Sequence, residues 1–173
     1  MPSRPHDRPI KVHFRPALRA RRGKLLTGAE GDGVEVHAGS FLRSRDVVLD
    51  SYLLAQPREL ARILVHELYH FVWLRLDNTT RNSYEAVVSM EFRQRASGEL
   101  GWSAERLKER MTTEDRRRRT RRWREYLSES FCDTAAWLFG GARRHNEFTL
   151  APVHRRRRRT WFREAEALRR IAL

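Results

Sequence analysis

Two histidines four residues apart, with a glutamate directly after the first, stand at His66-Glu67-Leu68-Tyr69-His70. On a helix, residues four apart lie one turn above each other, so both imidazoles project from one face. Zinc bound by two such nitrogens keeps positions for a third protein ligand and a water. Glu67 is adjacent, where a carboxylate can take a proton from that water and later deliver it to a leaving amine. With 7 His and 15 Glu in 173 residues, roughly 0.02 such matches are expected by chance. Two imidazoles and a carboxylate buried without a metal would leave several polar groups to satisfy. The metal reading wins.

A metal held this way needs a third ligand. Position 76, where a metzincin carries histidine, is leucine, and the next histidine after His70 is His145. The chain instead offers Glu129-Ser130-Phe131-Cys132-Asp133. Glu129 and Asp133 fall one turn apart on a helix face. A carboxylate ligand and an acid that hydrogen-bonds a ligand histidine make a coherent inner and outer shell. Glu85 and Glu91 are rivals closer to His70, but neither is followed by aspartate four residues on; His145 and His154 also stand as alternatives. Cys132 is a soft donor whose position reads as packed core. His13 and His37 lie in strand-like runs and read as surface or core groups.

The elements around these residues can be read from their patterning. The first 55 residues suggest short strands and turns. Residues 10–14 form a β-type run closed by Pro16, and 17–24 read as a basic connection. Gly28, Gly31 and Gly33 punctuate a turn before Val34, Val36 and Ala38, which alternate with Glu35 and His37. Residues 46–49 give a third, more apolar strand. Pro57 and Glu59 then open a helix whose apolar residues, from 60 to 76, fall on nearly every face, the pattern of a buried helix. Asn78-Thr79-Thr80 stops it and caps a second helix over 83–94, and 103–111 is a short amphipathic candidate. Thr113, with Glu114 and Asp115 behind it, predicts the cap of one long helix to Phe139, ended by Gly140-Gly141. A last helix over 160–172 follows the arginines at 155–159. The expected fold is α+β, a small and mostly N-terminal β-sheet packed on a helical layer that carries the site.

H-E-L-Y-H at 66–70 followed by E-S-F-C-D at 129–133 resembles the gluzincin zinc metallopeptidases, H-E-x-x-H … E-x-x-x-D. The 58 residues between His70 and Glu129 exceed the interval in thermolysin. They are closer to the soluble core of the CAAX-processing membrane peptidases, where small residues follow E-x-x-x-D as Thr134, Ala135 and Ala136 do here. The resemblance implies a minimal zincin-like metallopeptidase domain over 1–173, with Zn2+ as cofactor and a peptide or protein as substrate. It implies His66, His70 and Glu129 as zinc ligands, Glu67 as general base and Asp133 as partner of a ligand histidine. In gluzincins a His or Tyr usually meets the developing oxyanion; Tyr126, His145 and His154 are candidates for that role. The strand before the motif helix (Asp46, Val47, Val48, Leu49 and Asp50) is the expected edge on which an extended peptide pairs.

Composition bounds the alternatives. The net charge is +14; 33 of the 36 cations are arginine, grouped at 116–119 with Arg121, Arg122 and Arg124, and at 155–159. Such a balance attracts polyanions over a Debye length. The rival reading is therefore a non-catalytic, zinc-containing regulatory protein that binds nucleic acid through arginine, with Trp123 and Trp161 as stacking groups. Trp123, however, falls on the apolar stripe of its helix with Tyr126 and Leu127, so only weak, sequence-independent contact is expected. No run of 18 apolar residues can span a membrane. Cys132 has no second cysteine to pair with, which fits a reducing cytoplasm.

Overall fold

The computed structural model describes residues 8–21, 24–28, 33–165 and 168. Strands β1 (Lys11–Arg15), β2 (Leu18–Arg21), β3 (Lys24–Thr27), β4 (Val34–Glu35), β5 (Ala38–Phe41) and β6 (Asp46–Asp50) lead into a 3-10 turn, Ser51–Ala55. Helices α1 (Pro57–Arg75), α2 (Asn78–Arg93), α3 (Trp102–Glu109), α4 (Thr113–Arg117), α5 (Arg121–Phe139) and α6 (Pro152–Glu164) follow. The architecture is α+β, with its strands first. None of the helices is long and apolar enough to cross a membrane.

The strands form two small sheets where one is expected. One has the order β1-β6-β5, with β1 parallel and β5 antiparallel to β6; the other has the order β3-β2-β4. Leu18-Arg19-Ala20-Arg21, within the supposed basic connection, is strand β2, paired antiparallel with β3. Its alternation of apolar and charged residues is a period-two pattern. The second sheet is tied to the first by Asp50, whose carboxylate accepts from Leu18 N at 2.9 Å and from Tyr52 N at 3.1 Å.

Helix α1 is the middle layer, which explains why it is apolar nearly all round. Ile63 and Phe71 pack against Val47 and Leu49 of β6. Val72 and Leu76 enter a separate core with Tyr84, Val88, Trp123, Tyr126, Phe131 and Phe162. Helix α5 crosses α1 closely because residue 140 is glycine: a Cβ there would stand 2.7 Å from Arg62 Cα and 2.5 Å from Ala136 O. That approach brings the second half of α5 over the histidines of α1.

Three helix boundaries differ from the sequence reading. Helix α2 begins at Asn78, capped by Asp77, whose carboxylate accepts from Thr80 N at 2.7 Å. The long helix predicted from Thr113 is two helices. Thr112 and Asp115 close a capping box on α4, and the chain then turns through Arg119 at φ +49° before Thr120 caps α5. Asp115 holds this corner, accepting from Thr120 Oγ1 at 2.7 Å and from Arg122 at 3.0 Å. Helix α6 starts at Pro152, so the arginines 155–159 lie inside it rather than before it. The predicted stretch at 166–167 and 169–173 lies outside the described residues.

Candidate metal centre

His66 and His70 project from α1 toward Glu129 on α5. Their Nε2 atoms are 3.2 Å apart. Glu129 Oε2 lies 3.3 Å from His66 Nε2, and Glu129 Oε1 lies 3.8 Å from His70 Nε2. A tetrahedral zinc with bonds of about 2.0–2.1 Å holds its ligand atoms roughly 3.3 Å apart, so this spacing fits one. The trio forms the one group of three metal-capable side chains found among the described residues.

The electrostatics agree with a cation at that point. Burial disfavours charge on His66, yet Asp133 and Glu129 beside it raise its proton affinity well above that of an ordinary imidazole. Burial likewise opposes ionisation of Glu129, but His66 and His70 hold it below the usual carboxylate range. A bound divalent ion would take over the role of that proton and release it.

The outer nitrogens also have partners. Asp133 Oδ1 lies 2.8 Å from His66 Nδ1, which leaves Nε2 turned to the trio. The other oxygen of Asp133 accepts from Ala104 N at 3.1 Å, in the first turn of α3, where the helix dipole favours an anion. Gly101 makes this possible. A Cβ at 101 would stand 2.2 Å from the Asp133 carboxylate, so any larger residue must push the acid away. Gly101→Ala is therefore expected to weaken any metal binding at this trio by about 10–100-fold, the usual cost of losing such a partner. Competition titration with a metal chelator measures it, and unchanged affinity would remove α3 from the account.

Glu67 is buried, and Ser40 Oγ on β5 donates to its carboxylate and also lies 3.1 Å from its main-chain oxygen. Glu67, His66 and Asp133 line a cleft of about 350 Å³ with Glu35, His37, Ala38, Arg62, Trp102 and Glu147. Ser40, Gly101 and His37 are the site residues that sequence reading missed. His37 reads from its strand-like surroundings as a surface or core group, whereas the structure places it directly before β5, on the cleft.

No protein-family model, curated protein or solved structure matches the chain. The centre therefore has to be read from its own geometry.

That geometry removes or relocates several candidates. Tyr126 is fully buried, and its hydroxyl donates to Glu99 Oε1 at 2.5 Å, so it is part of the core and does not line the cleft. His154 is buried on α6 with Nδ1 unpartnered. His145 Nε2 lies 3.3 Å from Glu59, beside the cleft but not among its lining residues. Residues 46–50 are not an edge: β6 is the middle strand, occupied by β1 on one side and β5 on the other. Their apolar run reflects that double burial, and the edge next to the motif helix is β5. Of the rival ligands, Glu85 accepts from Trp123 Nε1 at 2.9 Å and pairs with Arg119, while Glu91 is fully buried on Arg158. Cys132 Sγ faces the outer nitrogen of His70 at 3.4 Å, away from the trio. Burial pushes its thiol well above the usual range, with Glu129, Asp133 and Glu67 adding to the effect.

The arginine runs are largely occupied within the molecule. Arg117 and Arg118 pair with Glu114, and Arg122 pairs with Asp115. Arg155 donates to the carbonyls of Phe148 and Leu150, and Arg159 covers the Trp137 ring at 4.7 Å. Arg158 is fully buried between Glu91 and Glu99. Trp123 is 1% exposed, which leaves it no face for a base to stack on.

Proposed function

We propose that this chain is a zinc-dependent peptidase that hydrolyses a peptide bond with Glu67 as general base. The observation that carries the reading is the spacing of His66 Nε2, His70 Nε2 and Glu129 Oε2, at 3.2 and 3.3 Å between neighbours, with a carboxylate beside it in an open cleft. His66, His70 and Glu129 would hold the metal. A zinc ion held there would supply Lewis-acid chemistry, polarising a carbonyl and making water a nucleophile near neutral pH. Glu67 takes the proton of that water and passes it to the leaving amine. Ser40 keeps the Glu67 carboxylate directed from β5. An extended substrate pairs with the free side of β5 through main-chain hydrogen bonds. Tyr126, His145 and His154, the residues expected to meet the oxyanion, are not among the cleft's lining residues; His37 is, and the role is assigned to it instead. The substrate is a peptide or protein segment; the charged cleft walls and the half-exposed Trp102 at its mouth would select its side chains.

The purified protein is expected to carry about one zinc per chain. Glu129→Ala should lose most of that affinity, whereas Glu85→Ala should keep it, because Glu85 serves Arg119 and Trp123 instead. Glu91→Ala is unsuited as a control, since it strands the buried Arg158. Metal analysis after dialysis, with digestion of a peptide library by the loaded wild type, measures both halves of the proposal. Zinc retained in full by Glu129→Ala would overturn the ligand set, and a loaded wild type that cleaves nothing would overturn the peptidase reading.

A further inference from the structure

One turn of α5 reaches the centre three times. Glu129 faces the metal position, Asp133 faces the outer nitrogen of His66, and Cys132 lies between them in sequence. Its sulfur is 3.4 Å from Nδ1 of His70. The ring of His70 stands edge-on to that of His66, with centroids 4.9 Å apart, so neither ring braces the other by stacking. Tyr69 and Val72, the neighbours of His70 on α1, are drawn into the apolar core, and no other partner of His70 Nδ1 occurs among the described residues. Without Cys132 the second imidazole would be free to carry its proton on either nitrogen.

We propose that Cys132 is a positioning residue of the metal centre: its sulfur accepts a hydrogen bond from the Nδ1–H of His70 and so fixes Nε2 as the nitrogen turned to Glu129. It neither ligates the metal nor forms a site of its own. The two histidines are then held in different ways. A carboxylate with a strong charge-assisted bond orients His66, and a thiol with a weaker, longer contact orients His70. A neutral partner for the second ring avoids a further buried anion within one turn of Glu129 and Asp133. The E-S-F-C-D segment thereby supplies one ligand and both outer partners from five consecutive residues. This inference rests on the metal-site reading above, since it concerns the nitrogen that His70 presents to the ion.

The test uses the full chain and zinc alone. Cys132→Val fills the core space but offers no acceptor, Cys132→Ala opens the space, and Cys132→Ser restores an acceptor. Zinc affinity is expected to fall by about 10-fold or more in the valine and alanine variants and to stay near wild type in the serine variant. In the zinc-loaded wild type, 15N spectra of His70 should show Nδ1 protonated with slow proton exchange, and exchange should quicken in Cys132→Val. The spectra need no mutation, so misfolding of a variant leaves that readout standing. Wild-type affinity and unchanged His70 signals in Cys132→Val would reduce Cys132 to packing and overturn the proposal. A wild type that binds no zinc would instead overturn the metal reading itself, and this inference with it.

Discussion

Glu67→Gln is expected to lower peptide hydrolysis by about 10²–10⁴-fold, the usual contribution of a general base, while zinc content and fold stay as they are. The amide has the shape of the carboxylate and still accepts from Ser40, so the tie between β5 and α1 survives. It cannot take up a proton. The metal should remain because His66, His70 and Glu129 surround a point that Glu67 does not share. The measurement is initial rate on the best library peptide, with metal content determined on the same sample. Hydrolysis at the wild-type rate would remove Glu67 from the chemistry. Loss of zinc together with activity would mean that Glu67 is itself a ligand.

The second large effect lies away from the cleft. Arg158→Met should destabilise the fold by about 3–5 kcal/mol, the cost of leaving buried charges without their partner. Arg158 donates to Glu91 at 3.0 and 2.6 Å and to Glu99 at 2.7 and 3.1 Å, and to Thr134 Oγ1 at 3.3 Å. Lys108 and Tyr126 complete the shell of Glu99. Burial works to raise the pKa of Glu99, but the charge and hydrogen bonds of Arg158, helped by Lys108, bring it from 4.5 down to about 2. A depressed carboxylate contributes stability that is fully present above its unfolded value and lost as the proton returns. Wild-type stability should therefore hold above about pH 4.5 and fall between there and about pH 2, with a shallower acid limb in Arg158→Met. Urea unfolding across that range measures both. A loss of under about 1 kcal/mol at pH 7 would show that the network breaks even against solvation.

Much of the centre can be read from the sequence because helix periodicity is a local property. Four-residue spacing within 66–70 and within 129–133 sets which side chains share a face, and neither depends on the rest of the chain. What a helix face meets is a different matter. Tyr126 sits one turn before the motif, yet its hydroxyl belongs to Glu99, a partner 27 residues away in a loop. Residues 46–50 look like a strand on any scale, but their being central rather than peripheral depends on β1 pairing in parallel from 35 residues upstream (Lys11 with Asp46). Arg158 is one of five consecutive arginines. Its burial follows from its place between His154 and Phe162, each four residues away and each buried. That stripe becomes visible once Pro152, at the first helical position, is taken as the start of the helix. The corner between α4 and α5 carried a local signal, Thr112 with Asp115 three residues on, which the stronger expectation of a continuous helix concealed.

The two polar ties of α5 and α6 span the same distance along the chain. His66 meets Asp133 and Glu91 meets Arg158, each pair 67 residues apart. Closing loops of that length costs chain entropy before any contact repays it. The first tie forms once α1 meets α5, and the second once α2 meets α6. Ties that close such long loops hold the native state mainly by slowing its opening, wherever they are absent from the folding transition state. In kinetic terms, the His66–Asp133 pair and the buried arginine are two locks on the same helical layer, and a metal held by His66, His70 and Glu129 would tighten the first of them.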